Sequence, residues 1–181
     1  MSDRTSQQLR QHIIELVGEY AQLQYRSHVF VPGETTVAPA GKVIGAGELQ
    51  SMTDAVLDGW LTTGRFNNAF EKRLQQYLGR RSVLTVNSGS SANLVAFSAL
   101  TSPRLGSRAI KQGDEVIGVA AGFPTTVNPI LQFGAVPVFV DITLPTYNID
   151  PAKIEAAITS KTKAIMLAHT LGNPYDLSVI R

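Results

Sequence analysis

The chain has 181 residues, 44% of them hydrophobic and 17% charged, a composition that gives a globular protein with a core and excludes a disordered one. Its formal charge of +2 comes from sixteen Lys and Arg against fourteen Asp and Glu. These are scattered, with no basic run and no interleaved aromatics, so no nucleic-acid partner is expected.

In chain order, a first amphipathic helix is expected from Ser6 to Leu23, where Leu9, Ile13, Leu16, Val17 and Tyr20 fall on one stripe. Residues Tyr25 to Gly47 carry Pro32, Gly33, Pro39, Gly41 and Gly45 without periodicity and read as a connecting arm. Two more helices follow, one lined by Leu49, Met52, Val56 and Trp60, the next by Phe66, Phe70, Leu74 and Leu78. From Val83 onward strands and helices alternate. The strands are expected at Val83–Val86, Glu115–Ala120, Val136–Val140 and Ala164–Ala168, short apolar runs suited to a parallel sheet buried on both faces. Helices fall between them at Ser90–Leu100, Thr125–Phe133 and Pro151–Ile158, the last with Asp150 as N-cap and Pro151 in its first position. The pattern is a three-layer α/β/α sheet, organised as an N-terminal helix and arm (1–47) followed by a cofactor-binding α/β domain (48–181).

No window approaches the apolar length of a membrane span, and the opening MSDRTSQQLRQH is polar where a secretory signal is apolar, so no membrane is expected and the location is read as cytoplasmic. With no cysteine and only three separated histidines, His12, His28 and His169, the chain offers no thiolate or histidine metal site.

Ligands of open parallel sheets collect beyond the carboxyl ends of the strands. Four segments sit there: NSGSS after the first strand, AGFPTT after the second, Asp141 after the third and HTLGNP after the fourth. In the first, Asn87 to Ser91 form a small-residue turn into a helix, whose unpartnered amides and positive dipole end suit a phosphate. The same turn serves equally as an ordinary N-cap by Ser88. Phe123 reads as core or as an aromatic on the rim, Asp141 as a loop cap or a site carboxylate, and His169 as a satisfied polar residue or a site imidazole.

The segments DGWLTTGRFNNAFEKRLQQYLG, NSGSSANL, GDEVIGVAAGFPTTVNPI, AVPVFVDI and AIMLAHTLGNPYDL resemble, in order, the motifs of the DegT/DnrJ/EryC1/StrS family. These are sugar aminotransferases and dehydratases with the type I aspartate aminotransferase fold. The resemblance runs from about Gly41 to the end of the chain. The stretches GKVIGAGELQSMTDAVLDGWLTTGRFN, AAGFPTTVNP and AHTLGNP are similar to its dehydratase members.

The resemblance implies a pyridoxal or pyridoxamine 5'-phosphate cofactor. Gly89 and Ser90 match the pair at the cofactor phosphate, with Ser88 and Ser91 beside them. Phe123 matches the aromatic stacked on the pyridine ring, and His169 is placed near the cofactor. Arg65 and Phe66 are matched to the nucleotide sugar or its diphosphate, where a guanidinium suits bidentate binding. The implied reaction is pyridoxamine-dependent removal of the 3-hydroxyl from CDP-4-keto-6-deoxy-D-glucose, a step toward 3,6-dideoxyhexoses of the lipopolysaccharide O-antigen. Electrons would come through a [2Fe-2S] cluster from a separate flavin and iron-sulfur reductase, and a homodimer is implied.

Family members are about twice this length or longer, so the sequence is expected to be the first half of a larger polypeptide. The catalytic base and the cluster cysteines are expected downstream; no catalytic residue is assigned within the chain. None of Lys42, Lys72, Lys111, Lys153, Lys161 and Lys163 follows a family lysine motif. Two other readings stay open: a nucleotide-sugar aminotransferase using pyridoxal phosphate, and a non-catalytic phosphate- or nucleotide-binding α/β module.

Overall fold

Thr5 opens the first helix with a reciprocal cap. Its Oγ1 accepts from the Gln8 N–H at 3.3 Å and the Gln8 side chain accepts from the Thr5 N–H at 2.9 Å, satisfying two end amides at once. The computed structural model describes residues 5–25, 29–38 and 40–180. His28 and Pro39, named above, lie outside the described residues. The chain divides into two compact units, Met1–Leu84 and Thr85–Arg181.

The first unit is helical. Helix α1 spans Ser6–Gln24 and α2 Ala46–Leu57. They pack against each other, with buried Gly18 leaving room for the Gln50 side chain, whose Nε2 donates to the Ile14 carbonyl at 3.1 Å. Helix α2 begins where the Glu48 carboxylate accepts from the Gly45 N–H at 2.8 Å. It ends at Leu57, before the expected Trp60. Trp60 instead donates its indole N–H to the Thr63 carbonyl at 3.0 Å within the turn, which replaces a further helical turn. Helix α3 spans Arg65–Leu78 and stops at Gly79, in the left-handed region at φ 60°, with the Arg80 N–H returning to the Gln75 carbonyl at 3.0 Å.

The second unit is the α/β part. Helix α4 spans Gly89–Leu100, strand β1 Glu115–Val119, helix α5 Pro124–Gln132, and strand β2 Val136–Val140. A 3-10 turn at Pro151–Lys153, with Asp150 Oδ1 accepting from the Ala152 N–H at 3.1 Å, leads into the short α6, Ile154–Ala157. Strand β3 (Thr162–Ile165) and α7 (Leu177–Ile180) follow.

The sheet is parallel, in the order β2-β1-β3, with Glu115 opposite Val136 and Val119 opposite Val140. Alternate residues of the central β1 feed two cores. Val116 packs with Phe97 of α4 and Ile130 of α5, while Ile117 and Val119 pack with Val140, Ile149 and Ile154. Helices therefore cover both faces, as the three-layer reading requires.

Two strand expectations need correction. Val83–Val86 is in no strand; Leu84 is 75% exposed, and a β-branched run gains nothing from extension until a neighbouring strand takes its hydrogen bonds and apolar face. The strand expected at Ala164–Ala168 lies earlier, at Thr162–Ile165, with one further ladder bond from the Met166 N–H to the Ile117 carbonyl at 2.8 Å. Its start is set by the pairing of Thr162 with Glu115, a contact invisible in the apolar run. Among the described residues no helix is long and apolar enough to cross a membrane.

Candidate functional site

At the start of α4, Ser88 is extended and its Oγ accepts from the Ser91 N–H at 3.2 Å. Ser91 Oγ donates onward to Asn87 Oδ1 at 2.6 Å, so the turn is held by its own hydroxyls. The amides of Gly89 and Ser90 have no acceptor within the helix and lie at its positive end. A Cβ built on Gly89 would meet nothing within 4 Å, so the space on that side of the helix end is open. Ser90 and Ser91 line a small cavity of about 170 Å³ with Leu94 and with Thr125 and Asn128 of α5. Asn93 ties the two helices together, its Nδ2 donating to the Thr125 carbonyl at 3.3 Å.

A larger cavity of about 420 Å³ opens beyond the carboxyl ends of β1 and β3. Phe123, from the turn after β1, presents a side chain on a residue 71% exposed, and it caps α5. His169, from the segment after β3, lines the same cavity, as do Thr126, Tyr147 and Leu171. The first turn of α5 separates the two cavities, with Thr125 on one and Phe123 and Thr126 on the other. Phe123 and His169 thus share one cavity, while Ser90 and Ser91 line the neighbouring one.

The His169 Nδ1 accepts from the Tyr175 N–H at 3.2 Å, and its ring stacks on that of Tyr175 with centroids 4.2 Å apart. Asp141 behaves as a loop cap, Oδ1 accepting from the Ile142 N–H at 2.8 Å. Tyr147 and Thr126 were missed by sequence reasoning. Tyr147 lies in the loop after β2, at the carboxyl edge already singled out, so the rule that found Phe123 and His169 also reached its loop; nothing local distinguished its ring.

Arg65 and Phe66 belong to the first unit. Arg65 Nε lies 2.8 Å from Asp58 Oδ2 and its Nη2 2.5 Å from Asp54 Oδ2, while its guanidinium carbon sits 4.2 Å from the Phe66 ring centre. Arg10 of α1 shares both acids, Nε donating to Asp54 Oδ1 at 2.7 Å and Nη2 to Asp58 Oδ1 at 2.6 Å. Hydrogen bonds from Arg65 first, then Arg10, hold both carboxyls below the ordinary aspartate range, and the same bonds raise Arg65 and Arg10 further. The Arg65 fork is thus engaged by carboxylates, alternating in charge with Arg10 across α1, α2 and α3.

Among the described residues no group of three or more His, Cys, Asp or Glu could hold a metal ion.

A parallel sheet with helices on both faces and a helix-end turn beside an aromatic-walled cavity is the N-terminal part of the aminotransferase fold of pyridoxal-phosphate enzymes. One solved structure of that fold, a GDP-4-keto-6-deoxymannose-3-dehydratase with a trapped PLP-glutamate geminal diamine, superposes with a TM-score of 0.73 at 31% identity, over 80% of this chain and 37% of that one. Residues 42–181 match the DegT/DnrJ/EryC1/StrS aminotransferase family, and the chain belongs to it. It is 62% identical over 177 residues to the lipopolysaccharide biosynthesis protein RfbH of Salmonella typhimurium, covering 98% of this chain and 40% of that protein. It is 47% identical over 166 residues to the dTDP-4-dehydro-2,6-dideoxy-D-glucose 3-dehydratase of Saccharopolyspora spinosa, covering 92% of this chain and 36% of that protein. The chain therefore spans about two-fifths of the length of these curated relatives.

Proposed function

We propose that this chain supplies the phosphate seat and the stacking wall of a vitamin B6 site in an enzyme that removes the 3-hydroxyl from CDP-4-keto-6-deoxy-D-glucose. The observation that carries the proposal is the exposed Phe123 ring on a cavity of about 420 Å³, with the open helix end at Gly89 on the other side of the first turn of α5. These residues fit the cofactor's phosphate: the space beside Gly89 is open, Ser90 and Ser91 line the adjoining cavity, and the Ser88 and Ser91 hydroxyls, bonded to each other and to Asn87, hold the turn in shape. Pyridoxamine 5'-phosphate, when bound, would supply an electron sink, with loss of a proton from its own methylene driving departure of the 3-hydroxyl from the sugar.

The chain's own contributions follow from position. Gly89 and Ser90 amides hold the phosphate and fix the cofactor's place, and Phe123 fixes the plane of the ring by stacking, worth about 1 kcal/mol beyond area burial. His169 borders the same cavity and is assigned to cofactor or substrate. Arg65 and Phe66 remain assigned to the nucleotide sugar, and a diphosphate there must share the guanidinium with Asp54 and Asp58.

The residues do not fit a [2Fe-2S] cluster, since the chain has no cysteine; the proposal places the cluster ligands and the catalytic base outside these residues. The separate reductase, the homodimer and a cytoplasmic location belong to the same proposal. Similarity to a 3-dehydratase and to a lipopolysaccharide biosynthesis protein supports it. Transamination is the second reading, favoured by 39% identity over 133 residues to the 3-oxo-glucose-6-phosphate:glutamate aminotransferase of Bacillus subtilis.

The test is the product. The protein carrying this sequence is incubated with CDP-4-keto-6-deoxy-D-glucose, pyridoxamine phosphate and a reductase, and the sugar is read by mass spectrometry. Loss of one oxygen at C3 is expected. Replacement of the 4-keto oxygen by an amine, with glutamate as donor, overturns the dehydratase reading in favour of the aminotransferase.

A further inference from the structure

We propose that His169 is a fixed hydrogen-bond donor, through Nε2–H, to an oxygen of the ligand held against Phe123, and that Tyr175 and Asn148 are the positioning residues that hold the imidazole for this role. The inference rests on the vitamin B6 reading for the identity of that ligand.

A neutral imidazole carries one proton, and the nitrogen that accepts a hydrogen bond is the one without it. In His169 that nitrogen is Nδ1, which accepts from the Tyr175 N–H at 3.2 Å. The proton is left on Nε2. Stacking on Tyr175, with rings 29° from parallel, restrains the plane of the imidazole as well. His169 is exposed, and these two contacts fix a ring that solvent alone would leave free to turn.

The turn that carries His169 is held from the opposite loop. Asn148 is only 6% exposed, and it uses both ends of its amide on that turn. Its Oδ1 accepts from the Thr170 N–H at 3.1 Å and its Nδ2 donates to the Asn173 carbonyl at 3.0 Å. Asn173 returns the contact, Nδ2 donating to the Thr146 carbonyl at 3.3 Å.

The two loops so joined contain Tyr147 at φ 60° and Leu171 at φ 53°, non-glycine residues in the left-handed region. Both line the cavity of Phe123 and His169. Such conformations cost energy and persist where the surroundings over-determine them, most often where a wall must be shaped for a ligand. The clamp, the backbone lock on Nδ1 and the two strained residues all converge on one cavity. The acceptor they serve is an oxygen, either a substituent of the cofactor ring or a hydroxyl or keto group of the sugar.

The experiment uses the protein carrying this sequence, with 15N-labelled histidine, and reads the His169 ring by two-bond 1H–15N correlation, the signal being assigned by its loss in His169→Gln. Expected is the Nε2–H tautomer at neutral pH, with a shift of the Nε2 resonance on binding. A shift with pyridoxal phosphate alone identifies the ring oxygen as acceptor; a shift only after CDP-sugar is added identifies the sugar. His169→Ala weakens binding of that ligand about tenfold, and His169→Gln, which keeps an N–H at similar reach, restores it to within about threefold. Asn148→Asp keeps the acceptor for Thr170 but loses the donor to Asn173, and gives a mixture of ring tautomers.

An Nδ1–H tautomer, an Nε2 signal unmoved by either ligand, or His169→Ala binding as tightly as the wild type overturns the inference while the vitamin B6 reading stands. Failure of the wild-type protein to bind pyridoxal or pyridoxamine phosphate at all removes both.

Discussion

Gly89 sits at the first position of α4 with open space where a Cβ would point, so its role can be separated from folding. Alanine there meets no atom and is the better helix former, by up to about 1 kcal/mol in a helix interior. Gly89→Ala is therefore expected to leave the urea midpoint unchanged or raised, yet to weaken pyridoxal phosphate binding about tenfold by placing a methyl over the anion seat. An absorbance titration beside a urea melt reads both. Ser88→Ala is the converse case, losing the Oγ acceptor of the Ser91 N–H at a cost of about 1 kcal/mol in the melt. At this scale the sequence was most readable where chemistry is local. The Ser88 cap and the Asp150 cap depend on neighbours within three residues and were both foreseen. The carboxylates around Arg65 were not: Asp58 and Asp54 lie seven and eleven residues before it, across a turn, and Arg10, which shares them, is forty-four residues from Asp54.

Among the elements, two apolar runs that look alike in sequence differ in outcome. Glu115–Val119 became the central strand, with Val116 and Ile117 fully buried, whereas Val83–Val86 is in no strand and exposes Leu84 and Val86. The residue types of the two runs are equivalent; what separates them is partnership, because β1 has β2 on one side and β3 on the other. Helix bounds were read within one residue for α1, α4 and α5, because a 3.6-residue stripe and a cap are properties of the segment itself. Strand pairing is a property of two segments, and the shift of β3 has the same origin. Burial on β1 gives a firm expectation: Ile117→Ala removes side-chain atoms that are 0% exposed and packed against Val119, Val140 and Ile154. A loss of about 2–5 kcal/mol in urea unfolding is expected, against about 0.5–1.5 for Ile117→Val.

Over the molecule as a whole, acid response is distributed unevenly. Four carboxyls among the described residues are held below their ordinary range, and three of them, Glu48 and Asp54 on α2 and Asp58 at its C-terminal cap, lie in the first unit. The causes are the Gly45 N–H for Glu48, and Arg65 followed by Arg10 for the two aspartates. In the second unit only Asp176 is so held, by the Ser178 hydroxyl and amide. A carboxyl whose folded pKa is depressed binds fewer protons folded than unfolded. Its stabilisation is complete above the unfolded value, near pH 4, and is lost as pH falls through the lower folded value. The helices of the first unit are therefore expected to lose amide-exchange protection below about pH 4 before the β-sheet of the second does. Hydrogen exchange read by peptide as a function of pH measures this directly. Asp58→Asn should lower protection of α1 and α3 at pH 7, where the charge is present, and should flatten the acid dependence that remains. Equal acid loss in both units, or an unchanged slope in Asp58→Asn, would show that the Arg10–Asp54–Asp58–Arg65 group contributes no more than isolated surface pairs do.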